Sequence, residues 1–199
     1  RVKFTNIDGE ITIDSPISSA MIGFGQRYEK QTRHIGIAEV NLVGHIHFKG
    51  YAQFGKDYFL FITKKGYCEF GNMASIGSLG KIICYNKIVL GDYARIGFES
   101  QVIDTNFHEM KDFENNIQLP ISKPIHLGNY NFISNRVTIL KGTKTSDYCT
   151  IASNSLCSKD YTDLNKNSLI GGVPAKLIRK NISRDWEGEM DKLHTSLII

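Results

Sequence analysis

Residues 127–157 read LGNYNF ISNRVT ILKGTK TSDYCT IASNSL C when they are divided into groups of six. Every group but one begins with an apolar residue, and the exception is Thr145. The residue four places later is mostly small or short, as at Val137, Cys149 and Ser155. A helix repeats its apolar face every three or four residues and a lone strand every two. A period of six therefore predicts a short strand and a tight corner, repeated along the chain.

The same period recurs earlier in the chain, in blocks separated by a few residues: Leu42, Phe48, Phe54 and Leu60; Phe70, Ile76 and Ile82; Leu90, Ile96 and Val102. Three such units would complete one triangular turn, so each apolar residue would stack on another about 18 places away and fill a prism. Glycine often follows the apolar residue, and we expect it to supply the positive φ of the corner. An antiparallel sandwich would not give an unbroken run of hexads, so we predict an all-β, parallel β-helix.

The composition limits the classes of protein that the chain can belong to. It has 199 residues, 41% hydrophobic and 22% charged, which are ordinary values for a globular protein. The net charge is +4 and the basic residues form no stripe, so no nucleic-acid partner is expected. No stretch is long and apolar enough to cross a bilayer. Cys84 and Cys157 fall on inward positions, and we predict reduced thiols and a cytoplasmic location.

We divide the chain into a β-helix domain at residues 1–180 and a tail at residues 181–199. Residues 1–40 are less regular, and the stretch Gln26 to Arg33 reads as a polar loop. In the tail, Ser183 is predicted to cap a short helix. Three apolar residues at helical spacing would then cover the open end of the prism: Trp186, Met190 and Leu193.

The repeat breaks between Val102 and Leu127, and residues 103–124 are predicted to form an extruded loop. This loop contains the segment Asp104-Thr-Asn-Phe-His108. Long loops inside a regular fold are often functional, and a histidine near an aspartate suits acid–base chemistry. The loop is therefore the first candidate for a site.

Three segments of the chain resemble the hexapeptide-repeat acetyltransferases, which include the maltose and galactoside O-acetyltransferases and the saccharide acetyltransferases of surface-polysaccharide pathways. They are Asp104-Thr-Asn-Phe-His108, the block from Pro124 to Gly142, and the closing segment Gly171-Gly-Val-Pro-Ala-Lys-Leu-Ile-Arg179. The resemblance spans roughly Leu42 to Lys180. It implies that the β-helix is left-handed and that the protein transfers an acetyl group from acetyl-CoA.

In that family a histidine is the general base, so the resemblance gives this role to His108. Imidazole is largely free base at neutral pH and can take a proton from an acceptor hydroxyl. Asp104 would hold the imidazole or bind a sugar hydroxyl. If Val102 stacks on Cys84, Asn86 lies one coil beneath Asp104. The residues expected to line the acceptor are then Tyr85, Asn86 and Asn106, although Asn106 replaces an acidic residue of the family motif.

The resemblance also implies a site for CoA. The positions lining the pantetheine arm fall on Asn135, Ser153 and Ser158, with Lys159 beside them, and those reaching the phosphates fall on Lys176 and Arg179. The segment Ile151-Ala-Ser-Asn-Ser155 departs from the usual Ile-Gly-Ala-Gly-Ser, which predicts a narrower or displaced pantetheine path. Phe132 stands where the family often has tryptophan and is expected to form an aromatic wall.

We therefore expect an O-acetyltransferase of a saccharide hydroxyl in surface-polysaccharide or glycoconjugate biosynthesis, assembled as a homotrimer with active sites between subunits. One alternative is an N-acyltransferase of a nucleotide-linked amino sugar, although residues 1–40 contain no recognisable nucleotide-binding segment. The others are a β-helix without chemistry and a metal-binding β-helix like the γ-class carbonic anhydrases. The pair of histidines five residues apart that the latter use is missing, so no metal is expected.

Overall fold

The structure is a computed structural model that describes residues 1–25 and 36–197. The predicted polar loop from Gln26 to Arg33 lies outside the described residues. The strands are β1 (Val2–Ile7), β2 (Glu10–Ile13), β3 (Ile22–Gly23), β4 (Ala38–Leu42), β5 (His45–Phe48), β6 (Ala52–Phe54), β7 (Phe59–Ile62), β8 (Tyr67–Phe70), β9 (Ala74–Ile76), β10 (Lys81–Cys84), β11 (Lys87–Leu90), β12 (Arg95–Ile96), β13 (Gln101–Ile103), β14 (Met110–Asp112), β15 (Ile117–Leu119), β16 (Ile125–Leu127), β17 (Phe132–Ile133), β18 (Thr138–Leu140), β19 (Thr150–Ile151), β20 (Leu156–Cys157), β21 (Ser168–Gly171) and β22 (Lys176–Lys180). One helix, α1, spans Trp186–Leu197.

All the described strands except β14 and β15, which pair only with each other, form three sheets that the chain visits in rotation. Sheet A has the order β1-β4-β7-β10-β13-β18-β20, sheet B the order β2-β5-β8-β11-β16, and sheet C the order β3-β6-β9-β12-β17-β19-β21-β22. All neighbours in these sheets are parallel except β21 and β22. A chain that passes from A to B to C and returns to A is a three-sided parallel coil. The predicted parallel sheets are confirmed, and the one helix within residues 1–25 and 36–197 is the predicted C-terminal helix.

The length of one coil changes along the chain. Ile133 pairs with Ile151, 18 residues later, as the hexads predict. Ile82 instead pairs with Val102, 20 residues later, because the corners of the earlier coils are longer. The expectation that Val102 stacks on Cys84 is therefore wrong. The position above Cys84 belongs to Asp104, and this register places Asp104 at the inner edge of a corner.

The glycines at the corners have a different purpose from the one predicted. Gly71, Gly91 and Gly128 do not have positive φ; the left-handed residues lie two places later, as at Tyr93 (φ 55°). A Cβ on Gly71 would lie 2.4 Å from the carbonyl carbon of Gly91 in the next coil. No real Cβ approaches a backbone atom so closely. Glycine is needed here because the corners of successive coils touch.

The corner between sheets B and C carries a ladder of side chains that the hexad pattern did not reveal. Asp92 Oδ1 accepts the backbone N–H of Asn72 in the preceding coil at 2.7 Å, and the same arrangement repeats up the corner. The residues that follow stack their rings, with centroids 5.0 Å apart for Tyr93 and Tyr130 and 4.9 Å for Tyr130 and Tyr148. We call these three residues the tyrosine ladder.

Helix α1 covers the tyrosine ladder, not the open end of the prism as predicted. Trp186 and Leu193 are buried against Met73 and the ladder, while Met190 is only half-buried. The stacked aromatic rings offer the helix an apolar surface, and Ala175 is already buried near the end of the prism. The cap is also different, because Asp185 Oδ1, and not Ser183, accepts the N–H of Gly188 at 3.0 Å.

The four cysteines are free and buried. Cys84 and Cys157 point into the prism as predicted, and Cys68 and Cys149 are also buried. Burial raises the pKa of the Cys149 and Cys157 thiols to about 12, so these groups act as small apolar residues at neutral pH. In the described part of the chain, no helix is long and apolar enough to span a membrane.

Candidate active site

The loop that interrupts the repeat leaves sheet A after β13 and returns before β16. Its base is closed by backbone hydrogen bonds: the N–H of Lys123 donates to Asp104 O at 3.0 Å and the N–H of Asn106 donates to Ile121 O at 2.9 Å. Its outer part is the antiparallel hairpin of β14 and β15. The loop is thus a well-anchored projection from the corner between sheets A and B.

Asp104 anchors the loop to the coil below it. The side chain is fully buried, and its two oxygens accept the backbone N–H groups of Tyr85 and Asn86, each at 2.8 Å. Burial raises the pKa of the Asp104 carboxyl, and the hydrogen bonds from the backbone oppose this shift. The carboxylate therefore points into the corner, because its residue continues the inward register of Cys84.

His108 lies exposed on the loop. Its imidazole makes no hydrogen bond to any residue within 1–25 or 36–197, so the expected contact between Asp104 and His108 is not found. Asp104 does not contact His108 because both of its carboxylate oxygens already accept backbone N–H groups. The His108 nitrogens are left accessible to a ligand.

The residues expected to line the acceptor lie at the same corner as His108. Asn86 Nδ2 donates to Ser122 Oγ at 3.2 Å, which ties the coil to the end of the loop. Tyr85 is half-exposed and its ring meets that of Phe107 edge to face, with centroids 5.8 Å apart. Asn106 is half-buried at the loop base. The structure thus brings these residues to one corner, and their role in lining an acceptor stays a prediction.

The residues expected to bind CoA do not form one group within a single chain. Asn135 and Ser153 are neighbours at the corner between sheets C and A, where Ser153 Oγ donates to Asn135 Oδ1 at 2.7 Å. Ser158 and Lys159 follow β20 and lie at the other edge of sheet A, on the corner that carries the loop. The last two, Lys176 and Arg179, are exposed on β22, which is an edge strand of sheet C.

The departure at Ile151-Ala-Ser-Asn-Ser155 has a structural explanation. Asn154 has a φ of 58° and lies in the left-handed region, where glycine and asparagine are the most tolerated residues. Asparagine therefore preserves the conformation of this corner. The prediction that the side chains narrow the path beside them stays a prediction.

Phe132 differs from the expected aromatic wall. It lies on the outer side of sheet C and packs against the cluster of Trp186 and Met73. The Arg184 guanidinium also stands over its ring, 5.5 Å from the centroid. The C-terminal tail therefore occupies the face of Phe132 that was expected to meet a ligand.

Two contributors to the corner were missed in the sequence. Phe107 has a φ of 64°, unusual for a bulky residue, and half of its side chain is exposed. Its place beside His108 in the quoted segment was the available signal. Lys141 Nζ donates to the carbonyls of Pro120 and Ile121 and so holds the end of the loop, and nothing in the spacing pointed to it. In the described ranges, no group of three or more His, Cys, Asp or Glu side chains is placed to hold a metal ion.

Comparison with known proteins gave matches among solved structures, whereas neither protein-family models nor curated proteins gave one. The polysialic-acid-specific acetyltransferase NeuO has a TM-score of 0.68 at 17% identity, over 92% of this chain and 71% of that chain. The chain has the fold of this acetyltransferase. At such an identity the likeness shows the fold alone, and at that level the resemblance seen in the sequence is confirmed.

Two further matches have lower structural similarity. The polysialic acid O-acetyltransferase OatWY has a TM-score of 0.46 at 18% identity, over 92% of this chain and 90% of that chain. A hexapeptide-repeat acetyltransferase of Vibrio cholerae O1 biovar eltor, solved with acetyl-CoA, has a TM-score of 0.48 at 23% identity. That match covers 57% of this chain and 60% of the other.

Proposed function

We propose that the protein is an acetyl-CoA-dependent O-acetyltransferase of a saccharide hydroxyl, acting in surface-polysaccharide or glycoconjugate biosynthesis. The observation that carries this proposal is the exposed, unbonded His108 on an anchored loop, in a chain with the fold of NeuO. Residues 1–180 would be the catalytic domain and residues 181–199 its tail. A cytoplasmic location fits this reaction, because acetyl-CoA is available there.

In the proposed reaction His108 takes the proton of the acceptor hydroxyl while the hydroxyl oxygen attacks the thioester carbonyl of acetyl-CoA. A carbon–oxygen bond forms and the carbon–sulfur bond breaks. The sulfur leaves as CoA and takes back a proton from the imidazolium. Asp104 does not touch the reactants; it positions the loop through the backbone of Tyr85 and Asn86.

We further propose a left-handed coil and a homotrimer with its active sites between subunits. Asn135 and His108 lie at the two edges of sheet A in one chain, so a neighbouring chain is needed to complete a cleft from both. The outer side of sheet A carries half-buried apolar side chains, including Ile83, Ile103 and Leu140. Such a face suits contact with other copies, and closed threefold symmetry would give three equivalent clefts. Light scattering should give three times the chain mass of 22.4 kDa.

The donor would extend from the clefts toward β22. Lys176 and Arg179 are exposed there, and ammonium and guanidinium groups make strong charge-assisted contacts with phosphate. We assign these two residues to the CoA phosphates, and Asn135, Ser153, Ser158 and Lys159 to the pantetheine arm. No metal is required for this chemistry.

The test measures thiol release from acetyl-CoA with a panel of acceptors: maltose, a galactoside, a sialic acid oligomer and a nucleotide-linked amino sugar. His108→Ala should reduce transfer by about 10² to 10⁴. His126→Ala is the matched control, because His126 is also exposed but lies on β16 of sheet B, outside the loop at residues 103–124. A His108→Ala rate within a few-fold of the wild type would overturn the role of the base. Acetylation of the amino sugar alone would favour the N-acyltransferase.

A further inference from the structure

An aromatic notch lies beside His108. The rings of Tyr85 and Phe107 stand almost perpendicular, at 89°, with centroids 5.8 Å apart. Their side chains are 36% and 48% exposed. Behind the notch, Phe61 backs the Tyr85 ring at 6.1 Å. The edge of one ring thus meets the face of the other, and together they form an exposed apolar surface.

The notch is built by the loop anchor and is not an accident of a loose side chain. Asp104 fixes the backbone of Tyr85, and Thr105 Oγ1 accepts the N–H of Phe107 at 3.0 Å. The left-handed backbone of Phe107 directs its ring over Tyr85. The left-handed region is strained for a bulky residue, so the surrounding hydrogen bonds must hold Phe107 in this conformation.

The notch differs from the tyrosine ladder in how far the described residues cover its rings. Tyr93, Tyr130 and Tyr148 also have positive φ, and Trp186 of α1 packs against their ladder. Phe107 has the same backbone but no described residue covers it as α1 covers the ladder. His108 follows Phe107 in the chain and Asn86 follows Tyr85, so polar residues suited to a sugar flank the two rings. Aromatic side chains with a few polar groups beside them are the usual lining of a small-molecule site.

We propose that Tyr85 and Phe107 form the acceptor-stacking notch, which holds the C–H face of a pyranose ring while one hydroxyl of that ring meets His108. The inference rests on the proposed function and specifies its acceptor, since it requires a cyclic sugar with a continuous apolar face. An acyclic polyol has hydroxyl groups but no such face. It should therefore gain little from the notch.

The experiment compares Phe107→Ala and Phe107→Tyr with the wild type, using the pyranose acceptor found in the panel above and sorbitol as the acyclic acceptor. Phe107→Ala should raise KM for the pyranose about tenfold with little change in kcat, because the aromatic contact is lost. Phe107→Tyr should restore it. Phe113→Ala is the matched control, since Phe113 is an exposed phenylalanine on the same loop outside the notch.

Binding is measured separately, by saturation-transfer NMR with maltose and with a sialic acid disaccharide. An NMR signal from the sugar C–H protons that is lost in Phe107→Ala supports the notch. If that signal is seen but no acetyl transfer occurs, the proposed function fails while the notch stands. Acetyl transfer that is insensitive to Phe107→Ala overturns the notch alone. A fall in kcat with unchanged KM would make Phe107 a positioning residue for His108. A change in oligomeric state would show that a second copy covers the ring. Either of these last two results, the fall in kcat alone or the changed oligomeric state, overturns the proposal.

Discussion

Replacing Asp104 with alanine tests whether one buried carboxylate holds the active-site loop. The change leaves the N–H groups of Tyr85 and Asn86 without their acceptors. Each unsatisfied donor costs about 1 to 3 kcal/mol, and these two are partly buried. Relief of the buried charge offsets part of this cost. We therefore expect the free energy of unfolding to fall by about 2 to 4 kcal/mol, and transfer to fall with it as His108 loses its position.

The assay is urea unfolding followed by circular dichroism, with Asp112→Ala as the matched control. Asp112 lies on the same loop, and its Oδ1 also accepts two backbone N–H groups, from Glu114 and Asn115. Those groups are exposed, so water can replace the carboxylate. The control should change the free energy of unfolding far less than Asp104→Ala does. Equal losses for the two variants would refute the argument from burial.

The pH dependence of stability gives a second test of Asp104. Its pKa is raised by burial, so between the unfolded value of about 3.9 and the folded value the native state binds more protons. Stability should therefore decrease as pH rises through that window. Asp104→Asn does not titrate and should lack this slope. Wild-type and Asp104→Asn stabilities that run parallel from pH 4 to 7 would contradict the raised pKa.

Three further predictions concern the corners and the tail. Gly91→Ala should lower the free energy of unfolding by about 1 to 3 kcal/mol in urea titrations, because the new Cβ would lie 2.6 Å from the carbonyl carbon of Gly128; wild-type stability would contradict the close approach. Trp186→Ala should cost about 3 to 5 kcal/mol and reduce the helical dichroism, since this residue is buried against the tyrosine ladder; Met190→Ala is the control. Lys176→Glu with Arg179→Glu should weaken CoA more than dephospho-CoA in calorimetry; equal losses would argue against phosphate recognition.

The faces of the prism could be predicted because a period of six has few structural interpretations. Inward residues such as Ile133 and Ile151 are identified by the period alone and stack as expected. The exact stacking elsewhere could not be predicted, because extra corner residues change the coil length and shift partners. Val102 meets Ile82 for this reason. Periodicity reports which side chains point inward, and it contains no information on how many residues a corner holds.

The location of the candidate site was predictable, whereas its internal contacts were not. The break in the repeat located the loop and His108. The use of Asp104 could not be read from the sequence, since a carboxylate close to a histidine in the chain can turn either way. In the structure the coil register turns it inward, to backbone donors that no sequence motif marks. The packing of helix α1 could not be predicted for a similar reason, because the tyrosine ladder that it covers forms only when the corners stack.

The corners of this fold therefore differ from coil to coil more than its faces do. A face residue has neighbours fixed by the parallel register, so its environment varies little from coil to coil. A corner residue can have a left-handed backbone, as Tyr93 and Phe107 do, and project its side chain clear of the sheets. At one corner such rings stack and receive a helix. At another, a single ring stands exposed beside a histidine. The same left-handed backbone thus supports packing where a partner segment covers the ring. We place ligand binding at the corner where none of the described residues covers the ring.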